Sequence, residues 1–133
     1  MTVEQFNILV DTLIDTRIKG VMCKKSAEYA RGGDKLHNFK RAAEIDGISP
    51  EEALRGMHLK HRCSISDMLN DLEQGVHHDQ ALWDEKFGDT INYYILLYAL
   101  LTERYKWHGD MLGWQKMETK PGYGGDVRCE PSS

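Results

Sequence analysis

The chain has 133 residues, enough for one domain with a modest core, and a formal net charge of −4. Apolar residues make up 41% and charged residues 29%, a balance that excludes both a disordered chain and a membrane-embedded one. The acidic balance argues against non-specific binding to duplex nucleic acid, which rewards a basic surface.

Three cysteines, Cys23, Cys63 and Cys129, are scattered without a zinc-ligand spacing, so they read as reduced thiols and the chain is expected to be cytoplasmic. Met1 to Val10 carries acidic Glu4 and no basic segment, so no signal peptide is expected. The longest apolar run, Tyr93 to Leu101, is too short to span a bilayer, and no membrane partner is expected.

Thr2 followed by Gln5 forms a capping box, after which Phe6, Val10, Leu13, Ile14 and Ile18 recur at helical spacing. Gly20 is a candidate break or kink, and Gly32-Gly33 is a strong stop. A short second helix, begun by Asp34 and ended by Gly47, offers Leu36, Phe39 and Ala43 as its apolar face. The third helix has Ser49 as N-cap, Pro50 at N1 and Glu52 at N3. Its expected core stripe is Leu54, Met57, His61, Ile65, Met68 and Leu72, with Gly75 as its stop.

The fourth helix is expected from about Gln80 to Trp107. The stripe assigned to its core is Phe87, Ile91, Tyr94, Ile95, Tyr98, Leu101 and Tyr105, and its middle is apolar nearly all round. A helix of that kind sits at the centre of a bundle or is covered by another subunit. The expected architecture is therefore an all-α bundle of four to five helices over residues 1–108, followed by a Gly- and Pro-containing tail over 109–133. A homo-oligomer, a dimer or larger, follows from the shortage of chain to cover the fourth helix.

Three features carry possible chemistry. Glu85, Asp89 and Asn92 fall at i, i+4 and i+7 and share one face of the fourth helix. Carboxylates entering an apolar setting need a cation, a donor or a proton, so the stripe is a candidate metal or ligand site. The plain alternative is a polar first turn that complements the helix dipole. His61, one turn after His58, is either a hydrogen-bonded core histidine or a base facing the Glu85/Asp89 stripe across the helix pair. The segment Arg31 to Arg41 sets Arg31, Lys35, His37, Asn38, Lys40 and Arg41 around a glycine turn and a helix start. Such a cationic segment in an acidic chain suits a small phosphorylated ligand, and a solvated charged helix start is its alternative. No Walker loop, Gly-x-Gly-x-x-Gly or Gly-x-Ser-x-Gly is present in the sequence.

Several segments between Glu28 and Arg104 resemble bacteriophage proteins of the MazG-like, nucleotide-modification-associated group. They are Glu28-Tyr29-Ala30-Arg31-Gly32-Gly33-Asp34, His37-Asn38-Phe39, Met57-His58-Leu59-Lys60-His61 with Asp67, and Trp83-Asp84-Glu85-Lys86-Phe87-Gly88-Asp89 leading into Ile91-Asn92-Tyr93. The resemblance implies an all-α oligomer with a nucleotide ligand. MazG-like pyrophosphohydrolases hold Mg²⁺ through Glu-x-x-Glu on one helix and Glu-x-x-Asp on the next, and cleave nucleoside triphosphates with a metal-activated water.

The chain departs from that pattern. Lys86 precedes Phe87-Gly88-Asp89 where the group has Glu, Glu85 lies one residue earlier, and the third helix offers His58, Lys60, His61 and Asp67 instead of the first acidic motif. Asp89 is the one metal position carried over directly.

Three functions follow as expectations. In a pyrophosphohydrolase, Glu85 and Asp89 would hold Mg²⁺ or Mn²⁺ and His61 would assist catalysis, while Arg31, Lys35, His37, Asn38, Lys60, Lys86 and Asn92 would contact the nucleotide. In a non-catalytic sponge, the same cationic and amide groups would sequester a signalling nucleotide of host defence, without metal. In a helical interaction protein, the polar stripe would only set subunit register.

Overall fold

The computed structural model describes residues 1–24 and 31–107. Within them the elements are α1 (Val3–Leu13), a π-helical stretch (Ile14–Lys19), α2 (Gly20–Lys24), a 3₁₀ turn (Arg31–Gly33), α3 (His37–Asp46), α4 (Pro50–Glu73) and α5 (Gln80–Tyr105). There is no strand among the described residues. No helix among them is long and apolar enough to cross a membrane. The all-α class is thus the observed one. The tail from residue 109 onward, with Trp114, Tyr123 and Cys129, lies outside the described residues, as do Glu28, Tyr29 and Ala30.

Local chemistry accounts for each start and stop. Thr2 and Gln5 close the capping box at the head of α1, Thr2 Oγ1 accepting from the Gln5 amide at 3.1 Å and Gln5 Oε1 from the Thr2 amide at 2.8 Å. Gly20 does not break the helix. It keeps right-handed helical dihedrals, and the irregularity falls on the six residues before it, which wind as a π-helix. The Thr12 and Thr16 hydroxyls donate back to the carbonyls of Ile8 and Thr12, a pattern that bends helices.

α3 ends at Gly47, whose left-handed φ of 67° lets its amide reach Ala43 O. Ser49 Oγ accepts from the Glu52 amide and Pro50 opens α4, with Glu51 and Glu52 in its first turn. α5 is capped by Asp79, whose Oδ1 accepts from the Leu82 amide at 2.8 Å.

α4 and α5 form an antiparallel hairpin. Arg104 near the end of α5 grips Glu51 at the start of α4 through two parallel bonds of 2.6 and 2.7 Å, and His61 lies beside Asp89 further along. α3 packs against this pair. The core is Leu36, Phe39, Leu54 and Leu100, flanked by Tyr93, Leu96, Leu97 and Ala99. Leu36, Phe39 and Ala43 on α3 are buried as expected. On α4, Leu54 and Met68 are buried, but Met57 and Leu72 are exposed, and Ala53 and His58 take the inward places instead.

The stripe expected to be the core of α5 faces the other way. Phe87, Tyr94, Ile95, Tyr98 and Tyr105 are all exposed, while Gly88, Asn92, Leu100 and Thr102 are buried. The physical reason is that both faces of α5 are apolar enough to be buried, and packing against α4 selects the one that carries Asn92, Leu100 and Thr102. α1 is likewise open. It has no buried residue, and Val3, Phe6, Ile8 and Leu9 are exposed. The N-terminal arm is held to the body where the π-helical stretch meets α5, through the Arg17–Asp84 ion pair.

A candidate nucleotide site between three helices

One cavity of about 310 Å³ opens where α3, α4 and α5 meet. Lys35 and Asn38 border it from the start of α3, with Phe39; α4 contributes Met57; and α5 contributes Asp89, Asn92, Tyr93 and Leu96. The α5 residues recur at three- to four-residue spacing, so one helix face forms the wall. The volume sits at the low end for small-molecule pockets, which span roughly 300–1,000 Å³.

The electrostatics of the rim are already partly committed. Lys40 bridges Asp34 and Glu103 at 2.7 and 2.8 Å, and its hydrogen bond, with that of the Leu36 amide, holds the Asp34 carboxyl below its usual range. Arg41 pairs with Glu44. Of the cationic segment expected to meet phosphate, Lys35 is the member that reaches the cavity, and no ion pair engages it among the described residues. Asn38 joins it there, whereas Arg31 is exposed on the 3₁₀ turn and His37 is half-buried, and neither lines the cavity.

Lys60 is exposed on α4 and does not line the cavity. Lys86 is drawn to Glu85 at 2.9 Å, a contact that lowers the Glu85 carboxyl and raises the Lys86 ammonium.

The acidic stripe is split by its surroundings. Glu85 is exposed and occupied by Lys86; Asp89 is half-exposed in the cavity wall; Asn92 is buried, with 9% of its surface exposed. Asn92 Oδ1 has no hydrogen-bond partner. Asp89 has His61 across the helix pair, Nδ1 to Oδ2 at 3.4 Å, an electrostatic contact rather than a hydrogen bond. Among the described residues no three His, Cys, Asp or Glu side chains gather that could hold a metal ion. The described donors therefore do not fit the carboxylate-rich Mg²⁺ or Mn²⁺ site that the resemblance implies.

Behind the wall lies an aromatic layer that sequence reasoning missed. Tyr93 lies parallel to His58 at 5.1 Å, meets Phe39 edge-on at 6.4 Å, and has the His61 ring tilted against it at 5.1 Å. His58 is the deeper of the two histidines, 5% exposed, and its Nε2 is without a partner. Burial, then the nearby Arg62 and His61, push its pKa below the ordinary histidine value; burial and Asp89 raise the Tyr93 hydroxyl. The expected core histidine was His61. The two stand three residues apart and so only about 60° apart around the helix, a difference that period counting does not resolve. Tyr93 carried a usable signal, at i+4 from Asp89.

No protein-family model, curated protein or solved structure matches the chain. The geometry of this cavity is therefore the ground for a functional reading.

Proposed function

We propose that the protein binds a small phosphorylated nucleotide in the cavity between α3, α4 and α5. The observation that carries the reading is the convergence of Lys35, which no ion pair engages among the described residues, with Asn38, Asn92 and the rings of Phe39 and Tyr93 around one cavity. A flat heteroaromatic ring with polar edges suits a wall of Asn92, Asn38 and Phe39, and Lys35 supplies one cation for phosphate.

Holding is favoured over cleavage by the donor set, because Asp89 is the one carboxylate among the residues that line the cavity. The host-defence sponge is the form of this reading in which the ligand leaves unaltered.

A second reading, nucleoside triphosphate hydrolysis, draws on His61 beside Asp89 at the cavity edge, a candidate base next to a carboxylate. One experiment separates them. The purified chain is incubated with nucleoside mono- and triphosphates and cyclic oligonucleotides, with and without Mg²⁺ or Mn²⁺, then heated to release what it holds. Ligand depleted and then returned intact supports binding; a metal-dependent product that disappears in Asp89→Asn supports hydrolysis; neither result removes both.

We also propose a homo-oligomer that covers the outer face of α5. Phe87, Tyr94, Tyr98 and Tyr105 each expose about half of the residue, about 100 Å² apiece, and Ile95, Trp107 and the apolar residues of α1 add to them. That sum approaches the ~800 Å² per partner of a standard interface.

A further inference from the structure

We propose that two copies of the chain exchange their N-terminal arms, α1 of each lying on the outer face of α5 of the other; the inference rests on the homo-oligomer proposed above. Among the described residues α1 is a helix without cover. It has no buried residue, and a free helix of 11 residues is marginal in water. Yet it is capped and carries an apolar stripe. Val3, Phe6, Val10 and Leu13 fall within about 80° of one another around its axis, with Leu9 flanking them. Val3, Phe6 and Leu9 are exposed.

Its own chain does not bring a partner to that stripe. Helical dihedrals run on through Ile14 and Gly20, so α1, the π-helical stretch and α2 make one rod. The rod meets α5 about one turn from its start, at the Arg17–Asp84 ion pair, and leaves Tyr94, Tyr98 and Tyr105 exposed. Being continuous, it offers no hinge that would bring α1 onto them. A second copy meets the need. Phe87, Tyr94, Tyr98 and Tyr105 share one face of α5. Val3 to Leu13 rises about 15 Å and Tyr94 to Tyr105 about 16 Å, so the arm matches the tyrosine half of that face in length. Val3, Phe6 and Leu9 offer roughly 300 Å², and the outer face of α5 roughly 500 Å². Reciprocal exchange covers both on each copy, which reaches the ~800 Å² per partner of a standard interface. A lipid surface is a poorer occupant, because α1 carries Glu4 and Asp11 and no Lys or Arg to meet anionic headgroups.

The test mixes two full-length variants and reads mass by analytical ultracentrifugation. One has a spoiled arm, Phe6→Glu; the other has a spoiled face, Tyr98→Glu with Tyr105→Glu. The wild type is expected to be a dimer. A charge on either side of the contact should raise the dissociation constant about a hundredfold, so each variant alone runs as a single chain. A mixed pair keeps one intact contact, the unaltered arm of the second variant on the unaltered face of the first. Heterodimers should therefore form with a constant only about tenfold above that of the wild type. If α5 faces paired with each other, Phe6→Glu would stay dimeric; if arms paired with arms, the α5 variant would. Either result, or a mixture that remains monomeric, overturns the exchange and leaves the oligomer reading standing. A wild type that is a single chain at about 100 μM overturns both. If the α5 variant does not fold, amide exchange of the wild type decides. Protection of α1 should then be lost on dilution while that of α4 persists, and α1 exchange that ignores concentration overturns the proposal.

Discussion

Replacing Asn92 by Leu should make the ligand-free protein more stable and the ligand useless to it. The two side chains branch at the same carbon, so Leu fills nearly the same space without the orphaned carbonyl. Removing an unsatisfied buried acceptor returns about 1–3 kcal/mol, and misfit from the slightly larger side chain takes back part of that. A net gain of about 1.5 kcal/mol, with a urea slope of about 1.5 kcal/mol/M, moves the unfolding midpoint up by about 1 M. The assay is equilibrium urea unfolding of both proteins, with and without each nucleotide of the binding panel at saturation. The wild type should gain stability from the ligand, and Asn92→Leu should gain none. A lower midpoint for the ligand-free variant would refute the reasoning, because it would mean that the carbonyl is already satisfied in solution.

Leu54→Ala should cost about 3–4 kcal/mol in the same assay, since Leu54 is 1% exposed among Leu36, Phe39 and Leu100 and the site has little room to collapse. Stability should decline as pH falls below about 6.5. There the unfolded His58 takes up a proton that the buried ring, with its depressed pKa, resists, and His58→Phe should flatten the curve below about pH 6.5. Tyr94→Glu with Tyr98→Glu should reduce the mass seen by analytical ultracentrifugation to that of a single chain; a wild type already monomeric at about 100 μM would refute the proposed interface. Asp84→Ala should change global stability by about 1 kcal/mol, as loss of a half-exposed ion pair does, yet accelerate amide exchange in α1 and the π-helical stretch by releasing Arg17.

The sequence made helix existence and most boundaries legible because their signals are local. Ser49 with Pro50, Thr2 with Gln5, and the glycines at 47 and 75 act on backbone groups a few residues away. Facing was legible only where one side of a helix is polar, as in α3, where Leu36, Phe39 and Ala43 are the inward residues. α5 has two apolar sides, and periodicity cannot say which is buried. The choice falls to how α4 packs against it, which spacing along one helix does not specify.

At the site, the Glu85–Asp89–Asn92 spacing rightly put three residues on one face, and facing His61 toward Asp89 was within reach of helix geometry. That Lys86 would turn to Glu85 and Lys40 to Asp34 and Glu103 depends on side-chain partners that spacing does not specify. The cationic segment therefore looked richer in free charge than it is.

The π-helical stretch at Ile14–Lys19 has a consequence for how the arm can vary. Wider winding puts the residues before and after it out of phase, so the stripe begun by Phe6 and Val10 does not continue straight into Ile18. Removing one residue from this stretch would let ordinary α winding resume with little change in the way α1 faces, because six residues at about 80° apiece turn the chain roughly as far as five at about 100°. The extra residue is taken up where it stands. The stretch acts as slack in the arm: a residue can be lost there while α1 goes on presenting the same side chains and the cavity between α3, α4 and α5 is unaltered.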